Sequence, residues 1–527
     1  MRGAPRSSRS LAVLAVLGAT ALGAALLRAD TPPATGRRAP PPIPARGEAL
    51  PVPDDTVLLE QLEEAIELRR REDFDRFLDA RDPGELIEHA TLTQMQLDRA
   101  PVEVETLFVV GDELFGYRFR PENGWGRGGP ERADPGFTPR LRRVHRGAAG
   151  GPDAFACMSC HSKGGPDGAG MQTQNALLMG DGERLEGADQ RNPPHLLGLG
   201  PVDALAREMT AALQAQAAAA AARARAEGRR VEEPLVAKGI AFGRLAVEPD
   251  GTRDHGAIEG VDPDLIVRPF GWKGHQATLR DMVEESLYIH LGLLSMEIQR
   301  AVHEGRLDGT PYGSGATWHD LDDDGISFEI DSGMVTTVVG YLAQLEVPVV
   351  RPPRDPALLD AFAAGRARFD AIGCAGCHVP ALQLDESRFD PVQADSTNPG
   401  RAALVVDLAR DGEHPKIEPV WAGENPPHLV HLFSDLKRHD MGQDLASPAA
   451  QGTIPAATFL TRPLWGLAET APYLHDGRAP TIHDAVVLHG GEAAAARDAY
   501  LALDEPDRAA VRVFLASLTR QPKLFIP

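Results

Sequence analysis

Three stretches of the chain carry apolar residues three and four positions apart, which is the spacing of one face of an α-helix. These stretches are residues 335–342, 355–373 and 505–519. A helix with one apolar face packs that face on a core, so we predict a helix at each place. The proline-rich segment 347–356 separates the first helix from the second.

Weaker patterns predict four further elements. A charged amphipathic helix is expected at residues 56–79, and a long alanine-rich helix is expected from Asp203, as its N-cap, through Glu227. An apolar run at 240–247 that is followed by Pro-Asp-Gly predicts a β-hairpin. Residues 279–300 have the pattern of another helix.

The N-terminus has the pattern of an export segment. Three arginines precede an uninterrupted run of 17 apolar and small residues at positions 11–27. Residues 1–29 are therefore predicted to be a secretory signal peptide, or a signal-anchor that tethers the protein to a membrane. Both outcomes predict a periplasmic or other extracytoplasmic protein. The Pro- and Ala-rich residues 30–54 are predicted to form a linker, and residues 55–106 a helical extension.

The charge balance restricts the class of partner. The chain has 527 residues, with 54 Lys+Arg against 76 Asp+Glu, and its formal net charge is −22. A nucleic-acid-binding protein needs a basic surface to neutralise phosphates, so this class is excluded. The acidic surface suits a basic partner such as a small electron-donor protein of the cytochrome or cupredoxin type, although it also serves solubility alone.

All four cysteines occur in two copies of the pentapeptide Cys-x-x-Cys-His. The residues of the two copies are Cys157, Cys160 and His161, and Cys374, Cys377 and His378. In this motif both thiols can form thioethers to one haem, and the histidine becomes the proximal ligand of its iron. Two copies therefore predict two covalently bound haem c groups.

Three other uses of the cysteines are alternatives to haem attachment. A redox dithiol does not need a histidine after the second cysteine in both copies, and a zinc site of four cysteines needs no histidine. A pair of disulfides is the third alternative. Haem attachment occurs on exported proteins, so the predicted export segment favours haem.

The haem motifs complete the predicted fold. A helix that leads into such a motif and a helix that closes the chain, packed across each other beside the haem, form a small cytochrome c domain. Residues 355–373 and 505–519 take these places around the second motif, and residues 335–342 close the first half. We therefore predict a mostly α fold of two cytochrome c-like domains, at 107–350 and 351–527, with long irregular loops and the N-terminal helical extension.

Several short phrases resemble one family. They are 270–273 (FGWK), 372–380 (IGCAGCHVP), 434–436 (SDL), 439–442 (HDMG), 471–478 (APYLHDGR) and 488–493 (LHGGEA). In this order they resemble the di-haem oxidoreductase, putative peroxidase family, which is related to the bacterial di-haem cytochrome c peroxidases and to the di-haem enzyme of methylamine utilisation. The resemblance runs from Leu107 to Leu518. It implies one haem that stores or passes electrons and one that reacts with peroxide.

The resemblance also bears on the sixth ligands of the two irons. The related peroxidases place the sixth ligand of the second haem on the helix after the Pro-Tyr-x-His-Asp-Gly phrase, where this chain has His489. Gly490 and Gly491 then allow close approach to a flat macrocycle. The alternative is Met441, whose thioether would give a higher potential than a second imidazole. For the first haem the candidates stay open; they are Met171, Met179, His195, His145 and His290.

Relatives in the family use a carboxylate beside the peroxide site and an indole between the haems. Glu284 and Glu285 follow Trp272 on a predicted helix and can supply the carboxylate. Charged residues on helices are more often solvated than catalytic. Trp272 can be the indole, and its alternative is a core tryptophan.

One acidic segment has the spacing of a calcium loop. Asp320, Asp322, Asp324 and Asp331 stand at its positions 1, 3, 5 and 12, with Gly325 at position 6. Position 12 is not the longer Glu, and no helix is predicted before the loop. The alternative is an acidic turn that caps the following helix.

Together these features predict an exported di-haem c-type oxidoreductase that reduces hydrogen peroxide with electrons passed from one haem to the other. Two alternatives stay open. One is a non-catalytic di-haem electron-transfer cytochrome, and the other is a haem enzyme that oxidises an organic or protein substrate. The fold alone does not separate these functions.

Overall fold

The structure is a computed structural model, and the ranges that it describes all belong to one structural unit, Arg81–Pro527. The described residues are 93, 94, 97, 102–126, 141, 143–146, 152–307, 317–392, 404–421 and 426–520. The predicted export segment, linker and helix at 56–79 lie outside them. No helix in these ranges is both long and apolar enough to cross a bilayer.

Nine α-helices occur in the described ranges. They are α1 Val104–Gly116, α2 Leu199–Glu227, α3 Leu279–Ser286, α4 Met296–His303, α5 Ser332–Ala343, α6 Pro356–Ala371, α7 Ile482–Val487, α8 Ala494–Ala502 and α9 Glu505–Leu515. A π turn, Leu287–Leu291, continues directly from α3. Short 3₁₀ turns at Cys157–Ser159 and Cys374–Gly376 contain the first cysteine of each haem motif.

The strands of the same ranges form six small sheets. The three-stranded sheets are β1 Val144–Arg146 with β2 Ala176–Gly180 and β3 Asp189–Arg191, β4 Val231–Ala237 with β5 Ile240–Val247 and β6 Arg253–Asp254, and β8 Leu382–Leu384 with β12 His428–Val430 and β11 Glu418–Pro419. The two-stranded sheets are β7 Val349–Val350 with β15 Leu518–Thr519, β9 Arg388–Phe389 with β10 Val406–Asp407, and β13 Arg438–Asp440 with β14 Thr458–Leu460. All pairs are antiparallel except β1 with β2.

The prediction of a mostly α fold is wrong. Helices account for 37% and strands for 17%, so the fold mixes helices with several small sheets. Most of the strands have two or three residues. Such short strands form where loops happen to lie side by side, and a run of two or three residues is too short to leave a period-2 pattern in the sequence. The predicted boundary between residues 350 and 351 stays a prediction.

Two pairs of helices form the framework around the haem motifs. In the first pair, α1 packs on α5, and in the second, α6 packs on α9. Each crossing is close because a glycine lies at it: a methyl group at Gly340 would collide with Leu107, and one at Gly365 would collide with the backbone of Ala510. The helices predicted at 335–342, 355–373 and 505–519 are therefore confirmed as α5, α6 and α9. The last of them ends at Leu515.

The long alanine-rich helix begins earlier than predicted. It starts at Leu199, after Gly198 in the left-handed region at φ 70°, and not at Asp203. Asp203 lies inside the helix and is fully buried. Its carboxylate accepts hydrogen bonds from the Leu279 backbone N–H at 2.6 Å and from Arg207 Nε at 2.5 Å. The side chain that resembled a cap therefore fastens α2 to the start of α3.

Residues 279–300 do not form one helix. The helix α3 continues into the π turn, and the helical conformation then ends at Gly292, where φ is 71°. Ser295 starts α4 as its N-cap and accepts from the Ile298 backbone N–H. The predicted hairpin at 240–251 is also part of a larger element, because β5 is the central strand between β4 and β6.

Candidate functional site

Each Cys-x-x-Cys-His motif lines its own cavity. Cavity 1 has a volume of about 230 Å³, and cavity 2 has a volume of about 280 Å³. The motif residues in their walls are Cys157, Cys160 and His161 for cavity 1 and Cys374, Cys377 and His378 for cavity 2. The walls of both cavities are mostly apolar, as expected of a site for a large flat cofactor.

The four cysteines form no disulfide and are partly buried. Burial raises the pKa of Cys157 and Cys160 to about 12 and that of Cys374 to about 11. Reactive dithiols have lowered thiol pKa values instead. These three thiols therefore do not have the environment of a redox dithiol, and covalent haem attachment stays a prediction.

The two motif histidines are oriented alike. His161 Nδ1 donates to the backbone carbonyl of Pro194 at 3.0 Å, and His378 Nδ1 donates to that of Phe433 at 3.0 Å. Burial lowers the pKa of both imidazoles to about 4, so both are neutral at pH 7. A neutral ring with its proton on Nδ1 has its lone pair on Nε2, which is the arrangement of a metal-ligating histidine. The residues present therefore fit a haem in each cavity.

In cavity 2 a second imidazole faces His378. The ring centroids of His378 and His489 are 6.4 Å apart. A nitrogen that binds a metal lies about 2 Å from it and about 1 Å from the centre of its own ring. Two imidazoles that bound one metal from opposite sides would therefore have their ring centres a similar distance apart. His489 Nδ1 donates to the Ala485 carbonyl at 2.7 Å, so its Nε2 is also the unprotonated nitrogen.

The other candidates in cavity 2 are arranged differently. Met441 lines the cavity together with His439. Both ring nitrogens of His439 are bound to carboxylates, Nε2 to Asp435 at 2.8 Å and Nδ1 to Glu492 at 2.7 Å. Burial lowers the pKa of His439, but these carboxylates outweigh burial and raise it to about 11. His439 is therefore a cation held between two acids and has no free nitrogen for a metal.

Gly490 and Gly491 have a role different from the predicted approach to a macrocycle. A methyl group at Gly490 would lie 2.8 Å from the Met441 carbonyl oxygen, and one at Gly491 would collide with the backbone of Asp440. Gly491 also has a φ of 52°. The glycines let the segment after His489 pack against the end of β13, and neither of them lines cavity 2.

Cavity 1 has a carboxylate in its wall. Glu285 accepts from His275 Nε2 at 2.9 Å and from the side-chain amide of Gln276. Burial raises the pKa of Glu285, but the hydrogen bond from His275 outweighs this and the pKa lies below its usual value. Glu285 is therefore ionised at neutral pH while it faces a buried cavity.

Glu284, the other predicted carboxylate, is not among the residues that line cavity 1. It accepts from Ser295 Oγ at 3.1 Å. Burial, with the neighbouring Glu297 carboxylate, raises its pKa well above the usual value. Of the two predicted carboxylates the structure brings only Glu285 to the cavity.

A buried ion pair also reaches cavity 1. Asp153 accepts from His145 Nε2 at 2.9 Å and from His290 Nδ1 at 3.2 Å. Burial raises the pKa of Asp153, but the two histidines lower it far below its usual value. Burial lowers the pKa of His290, and Asp153 outweighs this, so that the pKa of His290 is raised. Asp153 and His290 both line the cavity, so the pair places a carboxylate and a hydrogen-bonded imidazole in its wall.

The five candidates for a sixth ligand in cavity 1 differ in whether they line the cavity. Met171 and Met179 are 49% and 53% exposed and do not line the cavity. His145 is fully buried and is absent from the cavity wall. His195 and His290 do line cavity 1. In the described part of the chain, no second imidazole ring lies near that of His161 as His489 lies near His378, with ring centroids 6.4 Å apart.

One wall is common to both cavities. The residues that line both are Asn192, Pro193, Pro194, His195, Trp272 and Arg462. Trp272 Nε1 donates to the Asn192 carbonyl at 2.8 Å, which fixes the indole in this wall. Burial lowers the pKa of His195 to about 3, so His195 is neutral. Trp272 therefore lies between the cavities, as the sequence resemblance implies.

The acidic loop brings together three of its four predicted calcium ligands. Carboxylate oxygens of Asp320, Asp322 and Asp324 lie within 4.8 Å of one another. Asp331 is not in this group: it is the N-cap of α5 and accepts from the Gly333 backbone N–H at 2.7 Å. The fourth carboxylate beside the group is Glu329, whose pKa is raised to about 10 by burial and by the neighbouring aspartates. The predicted cap is confirmed, and calcium binding stays a prediction.

Several wall residues had no signal in the sequence. His275, Gln276 and Arg462 belong to no motif with a known spacing, and Asp153 lies four residues before the first haem motif without any periodicity. Of these residues, His275 and Gln276 lie close in the sequence to the family phrase at 270–273, and this was their only indication. Folding brings these residues into the cavity walls from segments that are far apart in the chain.

Comparisons with known proteins add three findings. No curated protein matches the chain. Among solved structures, it is similar to hydrazine synthase of Kuenenia stuttgartiensis pressurised with 20 bar xenon, at 13% identity over 93% of this chain and 99% of that chain, with a TM-score of 0.32. It is also similar to a MauG-like protein associated with microbial copper homeostasis, at 15% identity over 53% of this chain and 79% of that chain, with a TM-score of 0.24. Both scores are too low to carry a conclusion about fold or function.

The third finding concerns the family. Residues 419–518 match the family described as Di-haem oxidoreductase, putative peroxidase. This segment contains Met441, the Pro-Tyr-x-His-Asp-Gly phrase and His489, and it builds much of cavity 2. By this segment the chain is matched to a family of di-haem oxidoreductases, and the resemblance predicted from the sequence phrases is confirmed.

Proposed function

We propose that the protein is an exported di-haem c-type oxidoreductase that reduces hydrogen peroxide at cavity 1 with electrons held at cavity 2. The observation that carries this proposal is the difference between the two cavities. Two imidazoles face each other across cavity 2 at 6.4 Å. Cavity 1 instead has an ionised carboxylate, Glu285, in its wall, together with His290, whose pKa is raised by Asp153.

The residues that would hold the haems are those of the two pentapeptides. The four thiols would form the thioether bonds, and His161 and His378 would be the proximal ligands. A haem would supply one-electron redox chemistry in each cavity. His489 would hold the cavity 2 haem from the side opposite His378, which would favour electron storage there over reaction with peroxide.

The wall of cavity 1 can handle the protons of peroxide reduction. The Glu285 carboxylate takes a proton from one peroxide oxygen and gives it to the other, which leaves as water. The remaining oxygen becomes a second water by taking up two protons and two electrons. The His290 ring, which Asp153 holds in place and whose pKa Asp153 raises, is the group in this wall that would stabilise negative charge on the oxygens as their bond breaks.

The electrons come from a small donor protein in this proposal. The net charge of −22 favours a basic partner and speeds its encounter with the protein. Export through residues 1–29 accounts for haem c, whose attachment occurs outside the cytoplasm. Trp272, in the wall between the cavities, is the proposed route for electrons from cavity 2 to cavity 1.

A non-catalytic electron-transfer cytochrome is the second candidate. The observation in its favour is that His195 and His290 both line cavity 1, and either ring could close the sixth position of its iron. Such a protein would have two six-coordinate irons and would not turn over peroxide. The two candidates therefore differ in a property that spectroscopy measures directly.

Mass, absorption and EPR spectra of the purified protein test the proposal. We expect a mass increase equal to two haems, one low-spin and one high-spin ferric haem, and consumption of hydrogen peroxide when a reduced donor is present. Two low-spin haems without peroxide turnover would establish the electron-transfer cytochrome instead. A colourless protein of unmodified mass would refute both candidates.

Replacing the indole between the cavities tests the electron route. In Trp272→Phe we expect transfer from the cavity 2 haem to the cavity 1 haem to slow by about tenfold, while both absorption spectra stay unchanged. The matched control is Trp125→Phe, because Trp125 is a buried indole that donates to Ala154 and lines neither cavity. Stopped-flow spectroscopy after rapid reduction measures the rate. Equal rates in both variants and the wild type would exclude the relay.

A further inference from the structure

The wall that the two cavities share contains a cationic side chain, Arg462, whose surroundings indicate that it binds a ligand. Arg462 follows β14 and lines both cavities. Its guanidinium carbon lies 5.6 Å from the centroid of the Trp272 ring, so the charged group is stacked beside the indole. It is therefore placed where a group from either cavity can reach it.

Arg462 differs from the other arginines of the two walls. Arg191, in cavity 1, pairs with Asp189 and donates to Ser447 Oγ at 3.0 Å. Arg497, in cavity 2, pairs with Asp498 at 2.8 Å and donates to the His489 carbonyl at 3.0 Å. For the guanidinium of Arg462, the described ranges contain neither a hydrogen bond nor an ion pair.

A partly buried cation without an anion is unfavourable, because it loses contact with water and gains no partner. Lys273, the neighbour of Trp272, is fully buried and instead donates to the carbonyls of Pro455 and Ala456. Arg462 is partly buried. Burial lowers its pKa to about 10, so it still carries its charge at neutral pH. An anion at this position would compensate that charge.

Among the residues that the structure describes, no anionic side chain lines both cavities. The other residues that line both cavities are an asparagine, two prolines, a histidine that burial keeps neutral, and a tryptophan. The ligand of Arg462 must therefore come from what occupies the cavities. A haem carries two carboxylate groups on its edge, and a guanidinium binds carboxylates through two parallel hydrogen bonds.

We propose that Arg462 binds a porphyrin carboxylate from each cavity and so joins the two cofactors through one guanidinium. This inference rests on the proposed presence of two haems, and it adds the residue that recognises their carboxylates. Five N–H donors are enough for two carboxylates. A positive charge between the two sites favours the reduced state of each iron, because reduction adds a negative charge.

The test is a redox titration of the haem-containing protein. In Arg462→Gln we expect the midpoint potentials of both haems to fall, each by a tenfold change in its reduction equilibrium or about 59 mV. Arg462→Lys keeps the positive charge but loses the guanidinium that binds a carboxylate through two parallel hydrogen bonds. Both potentials should therefore fall by less than in Arg462→Gln. Arg410→Gln removes an arginine whose side chain is 81% exposed and should change neither potential.

Each other outcome contradicts the inference. Unchanged potentials in Arg462→Gln would show that the guanidinium does not bind the cofactors, and a shift of one haem only would show that it does not join them. If Arg462→Gln yields no haem protein, Arg462→Lys decides, because wild-type potentials and wild-type thermal stability in that variant would exclude the bidentate contact. Since the titration needs no peroxide, a protein with two haems but no peroxide turnover would refute the proposed function and leave this test valid.

Discussion

Glu285→Gln is expected to lower peroxide turnover by about 10²- to 10⁴-fold, the usual contribution of a general acid–base group. Glutamine has the size of glutamate but cannot take up the peroxide proton. Glu285 lines cavity 1 and its pKa lies below the usual value, so it is ionised at neutral pH, as a proton acceptor must be. Asp153, the other carboxylate in this wall, is occupied by His145 and His290. Steady-state peroxide consumption with a reduced small cytochrome as the donor measures the effect.

The matched control is the adjacent residue in the same helix. Glu284→Gln replaces a carboxyl group that does not line the cavity and whose pKa is raised by burial and by Glu297. This variant should keep the turnover of the wild type. Equal losses in the two variants would mean that α3 is damaged in both, and no loss in Glu285→Gln would remove Glu285 from the reaction.

The same residue determines an acid limb in the pH dependence. The base must be deprotonated to act, so kcat/KM should fall as the pH falls through the pKa of Glu285. The His275 hydrogen bond keeps this pKa below its usual value, and activity should therefore persist to pH values below the pKa of an ordinary glutamate. Glu285→Gln should lack this limb.

His489→Ala is expected to convert one low-spin ferric haem into a high-spin haem. The imidazole of His489 faces that of His378 at 6.4 Å, and its removal opens the sixth position of the iron between them. Loss of a nitrogen ligand should also raise the potential of that haem. EPR and absorption spectra of the ferric protein measure the change, and added imidazole should restore the low-spin signal because it can enter the space that alanine leaves.

Met441 serves as the control for this assignment. Met441 lines cavity 2 as well, so Met441→Leu changes the same wall while it removes the competing sulfur ligand. We expect its spectra to match those of the wild type. The reverse pattern, with a spin change in Met441→Leu and none in His489→Ala, would make the thioether the ligand.

The two Cys-x-x-Cys-His motifs could be interpreted as haem sites from the sequence because the chemistry of this motif is local. Cys-x-x-Cys-His places two thiols and an imidazole together through covalent spacing alone, so a five-residue pattern carries the prediction. The helices α5, α6 and α9 could be predicted for a similar reason, because an apolar face repeats over three or more turns. The mixed fold could not be predicted, since its strands are short pairings between distant loops.

Resemblance and structure had to be combined to separate the two candidate carboxylates. Glu284 and Glu285 are neighbours on one helix, and their sequence positions are equivalent for any spacing argument. Consecutive residues on a helix point in directions that differ by about 100°. The packing of α3 therefore decided that Glu285 lines cavity 1 and that Glu284 turns towards Ser295.

By itself the sequence determined where two haems can be attached, which histidines lie next to them, and which family the chain resembles. Only the tertiary structure decided what surrounds each haem site: that His489 faces His378, that Glu285 and the pair of Asp153 and His290 reach cavity 1, and that both cavities share a wall. The physical reason is the range of the interactions. Attachment depends on neighbours along the chain, whereas the charge and hydrogen bonding of a buried wall depend on residues that folding brings together from segments such as 272 and 462.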